Sequence, residues 1–213
     1  MTRPGSVRLI LGAALAAALL LAGGLLVLRV DKPVVAERLL PLVERYSGTP
    51  AIGGAWQLTD MHGQVITQAA PADSVTVIFF GFTHCPDACP TALLKVAQAL
   101  DRLAPAEAAR VRPLLVSVDP ARDDAATLVG YVTLFHPALL AATADEDTLA
   151  AMSKAFRAYY RKVPLGGEDY TIDHTTFLYL MDGEGRNLGV LGPDATAGDL
   201  AEALTAFLAA LAV

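Results

Sequence analysis

Apolar residues along this chain follow three rhythms. The first is unbroken: no residue from Leu9 to Leu28 carries a charge, and about 20 helical residues at ~1.5 Å each span the ~30 Å hydrocarbon core of a bilayer. The second is short and dense. "SVTVIFFGF" and "VRPLLVSV" are continuous apolar runs rich in β-branched residues, the pattern of strands buried on both faces of a parallel or mixed sheet. The third is helical. Leu93, Val96, Leu100 and Leu103 form one stripe that stops before Pro105, and Leu128, Tyr131, Val132 and Phe135 mark a second helix. Thr143 and Glu146 have the spacing of a capping box and open a third predicted helix, carrying Leu149, Met152, Phe156 and Tyr159.

Between these segments lie hairpin signals. Trp56 and Leu58, a turn at Asp60 to Gly63, then Val65 and Ile66 predict a small hairpin before the first buried strand. "TTFLYLMD", the turn "GEGR" and "NLGVLG" predict a later strand-turn-strand unit, and residues from Thr196 to Leu211 a last helix. Alternating β and α segments followed by a hairpin and a helix give an α/β sandwich around a central mixed sheet.

The N-terminal run changes the picture from a globular domain to an anchored one. Arg3 and Arg8 precede it and favour a cytoplasmic N-terminus. A cleaved signal peptide is the rival reading, but it would have a shorter apolar region, about 7–15 residues, ending at small residues. This run closes on Leu25-Leu26-Val27-Leu28-Arg29. The expected organisation is a membrane anchor at 1–30, a tether at 31–50 with a short helical stretch around Val35 to Tyr46, and one domain at 51–213. The anchor predicts single-pass insertion in the inner (cytoplasmic) membrane, with the domain facing the periplasm or cell exterior, an oxidising compartment. The formal net charge is −6, and beyond the anchor's flanks no basic run offers a surface for nucleic acid.

Candidate chemistry concentrates in "GFTHCPDACP", which holds the chain's two cysteines, Cys85 and Cys89. Each precedes a proline. Proline disfavours a helical residue before it and is welcome in a helix's first turn. Cys85 is therefore expected in the loop leaving the first buried strand, and Cys89 in the first turn of the following helix. The positive end of that helix favours thiolate, the form that binds metal. Four-residue helical spacing separates Cβ atoms by about 5–6 Å, wider than the ~3.5–4.5 Å of a disulfide. A metal between the sulfurs needs less closure than a bond between them. As a structural staple, so close a pair would also contribute little, since the benefit grows with loop length.

"GFTHCPDACP" at 81–90, "SVDPARD" at 117–123, "YVTLFHP" at 131–137 and "DHTTFLYLMD" at 173–182 together resemble the Sco/SenC family, thioredoxin-fold copper chaperones for cytochrome c oxidase. "IGGAWQLTDMHGQVIT" at 52–67 resembles the family's first hairpin, with Trp56 where the family usually has Phe. Asp124-Ala125 replaces a common Thr-Pro pair. The resemblance implies a thioredoxin-like fold and copper bound by Cys85, Cys89 and His174. Soft thiolates select Cu(I) and imidazole suits copper in either oxidation state.

Of the other histidines, His62 is expected in a solvated turn, His136 at a helix end, and His84 pointing away from its neighbour Cys85. Asp173 could orient the His174 imidazole or simply solvate a loop. The implied function is a metallochaperone rather than an enzyme, passing copper to the CuA site of cytochrome c oxidase subunit II. A copper donor and a thiol reductant would be further partners. The alternative is a thiol–disulfide oxidoreductase using Cys85 and Cys89 as a redox-active pair on an extracytoplasmic apo-metalloprotein. Nothing in the cysteine motif singles out a peroxidase, and structural zinc sites usually have four protein ligands.

Overall fold

The computed structural model describes residues 52–211. The anchor, the tether and the helical stretch around Val35 to Tyr46 expected from the sequence lie outside them. Among the described residues no helix is long and apolar enough to cross a membrane.

Strand β3, Val75–Gly81, is buried at every position, as its uninterrupted apolar run requires. It pairs in parallel with β4, Val111–Ser117, which pairs in parallel with β5, Leu140–Thr143. On its other side β3 pairs antiparallel with β8, Leu178–Met181, and β8 with β9, Asn187–Leu191. The first hairpin, β1 Gln57–Asp60 and β2 Val65–Thr67, joins antiparallel to β5. One mixed seven-stranded sheet results, in the order β2-β1-β5-β4-β3-β8-β9. A second, two-stranded sheet stands apart from it: β6, Tyr160–Gly166, paired antiparallel with β7, Asp169–His174. The arrangement is a thioredoxin-like α/β fold.

Helices follow the strands in alternation: α1 Ala88–Leu100, α2 Pro105–Ala108, α3 Ala125–Val132, α4 Glu146–Phe156 and α5 Ala197–Leu211. Leu93, Val96 and Leu100 form the buried stripe of α1; Leu103 is also buried but lies just past the helix end. Phe80, Phe156 and Tyr179 meet edge to face at centroid distances of 5.5 to 5.7 Å and join the sheet to α4.

Three expectations from the sequence are corrected. Thr143 does not cap α4. It ends strand β5, and its hydroxyl donates to the Ser117 carbonyl at 3.0 Å. The cap is Asp145, whose carboxylate accepts from the Thr148 amide at 2.8 Å. Helix α4 stops at Phe156 because Arg157 takes a left-handed conformation, φ 54°, so Tyr159 lies outside the helix and is 54% exposed. Helix α3 likewise ends at Val132, leaving Phe135 in the following turn. Strand β5 and the β6–β7 hairpin have no counterpart in the sequence reading. β5 is four residues of Leu, Ala and Thr, with too little alternation to signal a strand. β6 and β7 carry mostly exposed residues on a hairpin outside the main sheet.

Candidate metal centre

The two cysteines take the places their prolines dictate. Cys85 lies in the loop after β3, where its amide donates to the Phe82 carbonyl at 3.3 Å. Cys89 is the second residue of α1 and is fully buried. Its amide donates to the Cys85 sulfur at 3.4 Å, so the free donors at the helix start converge on that sulfur. Neither cysteine is in a disulfide.

The Cys89 sulfur rests on the last residue of β3. A Cβ built on Gly81 would meet that sulfur at 2.7 Å and the Phe79 ring at 2.9 Å. Glycine is thus required here for close approach rather than for an unusual backbone angle. The Phe82 amide also points at the Cys89 sulfur, 3.5 Å away.

His174 arrives from a different element. It is the last residue of β7, paired across the hairpin with Tyr160. Its Nε2 lies 3.4 Å from the Cys89 sulfur and 3.8 Å from the Cys85 sulfur. All three donor atoms fall within 4.8 Å of one another. The other ring nitrogen, Nδ1, lies 3.0 Å from the Thr175 carbonyl. A carbonyl only accepts, so Nδ1 carries a proton and Nε2 faces the sulfurs. Asp173 has no part in this. It is exposed and accepts from Arg161 at 3.0 Å. The rings of Phe79 and Phe82 pack T-shaped with the imidazole at centroid distances of 5.8 and 5.7 Å, close to perpendicular, and fix its plane.

The remaining histidines stay outside the cluster, as the sequence reading has them. His62 is exposed in its turn. His136 faces Asp101 at 3.7 Å, in the turn after α3. The exposed His84 points at the Thr83 hydroxyl, 3.1 Å away.

Sequence reasoning missed the support beneath the cysteine loop. Asp123 is fully buried. Its carboxylate accepts from the Thr83 amide at 3.0 Å, the Thr83 hydroxyl at 2.6 Å and the Ser117 hydroxyl at 2.5 Å. This pins the loop two residues before Cys85. The signal was present in "SVDPARD", which supplies both Ser117 and Asp123, but no periodicity shows that a carboxylate there turns inward.

The two thiols are electrostatically unequal. A hydrogen bond with Cys89 stabilises the Cys85 thiolate; burial opposes it, and His174 and the Asp87 and Cys89 amides add to it. The net effect lowers the Cys85 pKa to about 3. The same bond, with deeper burial, pushes the Cys89 thiol upward. Burial disfavours a charged His174, but the hydrogen bonds with Cys85 and the Thr175 carbonyl outweigh it and raise the imidazole's pKa. Cys85 is therefore a thiolate across the whole neutral range, while Cys89 holds its proton. Iodoacetamide labelling of the reduced protein at pH 5, followed by peptide mass spectrometry, is expected to modify Cys85 and spare Cys89. A Cys85 labelling rate that climbs only on approaching pH 9 would contradict this assignment. Chemically, the cluster offers two soft sulfurs and one imidazole nitrogen to one ion. The half-exposed Cys85 stands at the mouth, and no fourth protein ligand closes the set among the described residues.

Comparison with known proteins gives one consistent result. The SCO1/SenC family model matches residues 44–209. Protein sco1 of Schizosaccharomyces pombe is 34% identical over 180 residues, which are 83% of this chain and 68% of that protein. Mitochondrial SCO1 of Saccharomyces cerevisiae is 38% identical over 147 residues, 68% of this chain but only 50% of its own length. Among solved structures, Bradyrhizobium japonicum ScoI with copper bound superposes with a TM-score of 0.67 at 38% identity, covering 74% of this chain and 99% of that one.

Proposed function

Because this chain belongs to the SCO1/SenC family, we propose that it is a membrane-anchored copper chaperone that holds copper through Cys85, Cys89 and His174 and delivers it to the CuA site of cytochrome c oxidase subunit II. The observation that carries this reading is the convergence of two sulfurs and one imidazole nitrogen within 4.8 Å. The copper bound in the Bradyrhizobium relative supports the choice of metal, as does the preference of thiolates for Cu(I). Three protein ligands suit a carrier, because a coordination sphere left open by the protein lets an incoming ligand displace a leaving one. Residues 1–30 anchor the protein in the inner (cytoplasmic) membrane, 31–50 tether it, and 51–213 form the copper-binding domain on the periplasmic or outer face. A copper donor and a thiol reductant act before the transfer.

Titration of the reduced protein with Cu(I) tests this directly. One ion is expected to bind per chain, and prior oxidation of the cysteine pair is expected to abolish the binding. Binding that survives oxidation would exclude the thiolates as ligands.

The asymmetry of the thiols favours a second reading, a thiol–disulfide oxidoreductase. A low-pKa, half-exposed Cys85 has the character of an attacking thiolate, and the buried Cys89 that of a resolving thiol. Exchange does not require an imidazole nitrogen ligand. His174→Ala restoring oxidase assembly in a deletion strain would favour exchange over copper delivery.

A further inference from the structure

The β6–β7 hairpin lies outside the main sheet, so no sheet hydrogen bond fixes His174 relative to the cysteines. Chain continuity through residues 175–177 ties the end of β7 to β8, but the rest of the strand needs a hold of its own. The turn between β4 and α3 supplies it.

Arg122 in that turn donates through Nε to the Asp119 carboxylate, and through Nη1 to the Tyr170 carbonyl at 2.9 Å. The Tyr170 hydroxyl donates to the other Asp119 oxygen at 2.6 Å. Asp119 is fully buried, and the Arg122 side chain is 21% exposed. The circuit is closed: strand β7 to Arg122, Arg122 to Asp119, Asp119 back to β7. The guanidinium also stacks on the Tyr170 ring, 3.7 Å from its centroid, and lies 5.9 Å from the centroid of Phe82. Its Nη2 is buried without a hydrogen-bond partner, as its place against two rings explains. Phe82 in turn packs T-shaped with the His174 imidazole. Arg122 therefore touches both the strand that carries His174 and the ring that orients it. The ion pair between Lys162 and Glu146 also links the hairpin to the fold, but it is exposed and weak.

We propose that Arg122 is a positioning residue for the metal centre, clamping β7 and Phe82 so that the His174 imidazole faces the two sulfurs. The proposal rests on the copper-carrier reading for its consequence, but not for its geometry. The guanidinium's fork makes two directed bonds while its face stacks, which a lysine cannot reproduce.

The test uses the full chain in detergent micelles and two readouts. The first needs no metal. In the reduced protein, the ring resonances of His174 are expected to be displaced by the Phe79 and Phe82 ring currents. Arg122→Gln is expected to return them toward those of free histidine while the core resonances stay in place. Unchanged His174 resonances would overturn the proposal. The second readout is Cu(I) affinity in a double-mutant cycle. With His174 present, Arg122→Gln should weaken binding about 10-fold, the low end of what loss of a ligand-orienting partner costs. In the His174→Ala background it should cause no further loss; equal losses in both backgrounds would show general destabilisation and sink the idea. Should Arg122→Gln fail to fold, Tyr170→Leu at the hairpin end of the clamp carries both readouts. Should the unmodified protein take up no copper, the carrier reading falls and the resonance measurement alone decides on Arg122.

Discussion

Replacing His174 with alanine is expected to weaken Cu(I) binding more than about 100-fold, beyond the 10- to 100-fold typical when only an outer partner of a ligand is lost. The reason is geometric. Nε2 lies 3.4 and 3.8 Å from the two sulfurs, and Nδ1 is committed to the Thr175 carbonyl. The imidazole therefore has one free nitrogen and one direction in which to use it. Among the described residues no other histidine, aspartate or glutamate joins the cluster, so no neighbour can replace the lost donor. The fold should survive. His174 closes β7 through backbone pairing with Tyr160, which alanine keeps, and removing the half-buried ring from beside Phe79 and Phe82 costs about 0.5–3 kcal/mol, as ordinary single substitutions do. Competition against a chromophoric Cu(I) chelator, with circular dichroism as the check on folding, measures both. An unchanged affinity in a folded variant would remove His174 from the site.

Asp123→Ala is expected to act on stability, by about 2–3 kcal/mol, because it strands one fully buried donor, the Ser117 hydroxyl, and two half-buried ones on Thr83. The Thr83 amide, the Thr83 hydroxyl and the Ser117 hydroxyl all end on this one carboxylate, which is itself fully buried. Alanine offers none of them an acceptor. Asparagine keeps one acceptor oxygen and should recover part of the loss. Urea unfolding of the three proteins orders them, with the native protein most stable, asparagine intermediate and alanine lowest. An alanine variant with an unshifted midpoint would show that the loop before Cys85 is held by other contacts. Because Thr83 is two residues from Cys85, the same variant should also loosen the sulfur that stands at the mouth of the site.

The parts of this fold that were legible in the sequence are those whose burial is one-sided or complete. The runs that became β3 and β4 were readable because every side chain in β3, and nearly every one in β4, is buried. The stripe of α1 was readable because one face meets the core. The β6–β7 hairpin was not, since its residues are mostly exposed and it joins no core strand. That failure matters for the site. Two of the three donors sit in one decapeptide and could be found by inspection, while the third comes from the element with the weakest pattern. Only the resemblance carried by "DHTTFLYLMD" points to His174, and no sequence pattern marks its place at the end of β7. The positions of Asp123 and Arg122 were equally invisible, because a charged residue between two apolar runs reads as a solvated turn until burial shows otherwise.

Gly81 has a consequence for how cysteine variants are interpreted. At this point in β3 the core has no side chain of its own, and the sulfur of Cys89 fills the space. The customary replacements of the two cysteines by serine are therefore not a matched pair. At position 85 the change swaps one atom at a half-open rim. At position 89 it withdraws volume from the interior and puts a hydroxyl where the backbone floor leaves little room to reorient. A defect seen only at position 89 thus mixes lost coordination with lost packing, and the two can be told apart only by weighing it against a size-matched apolar substitute.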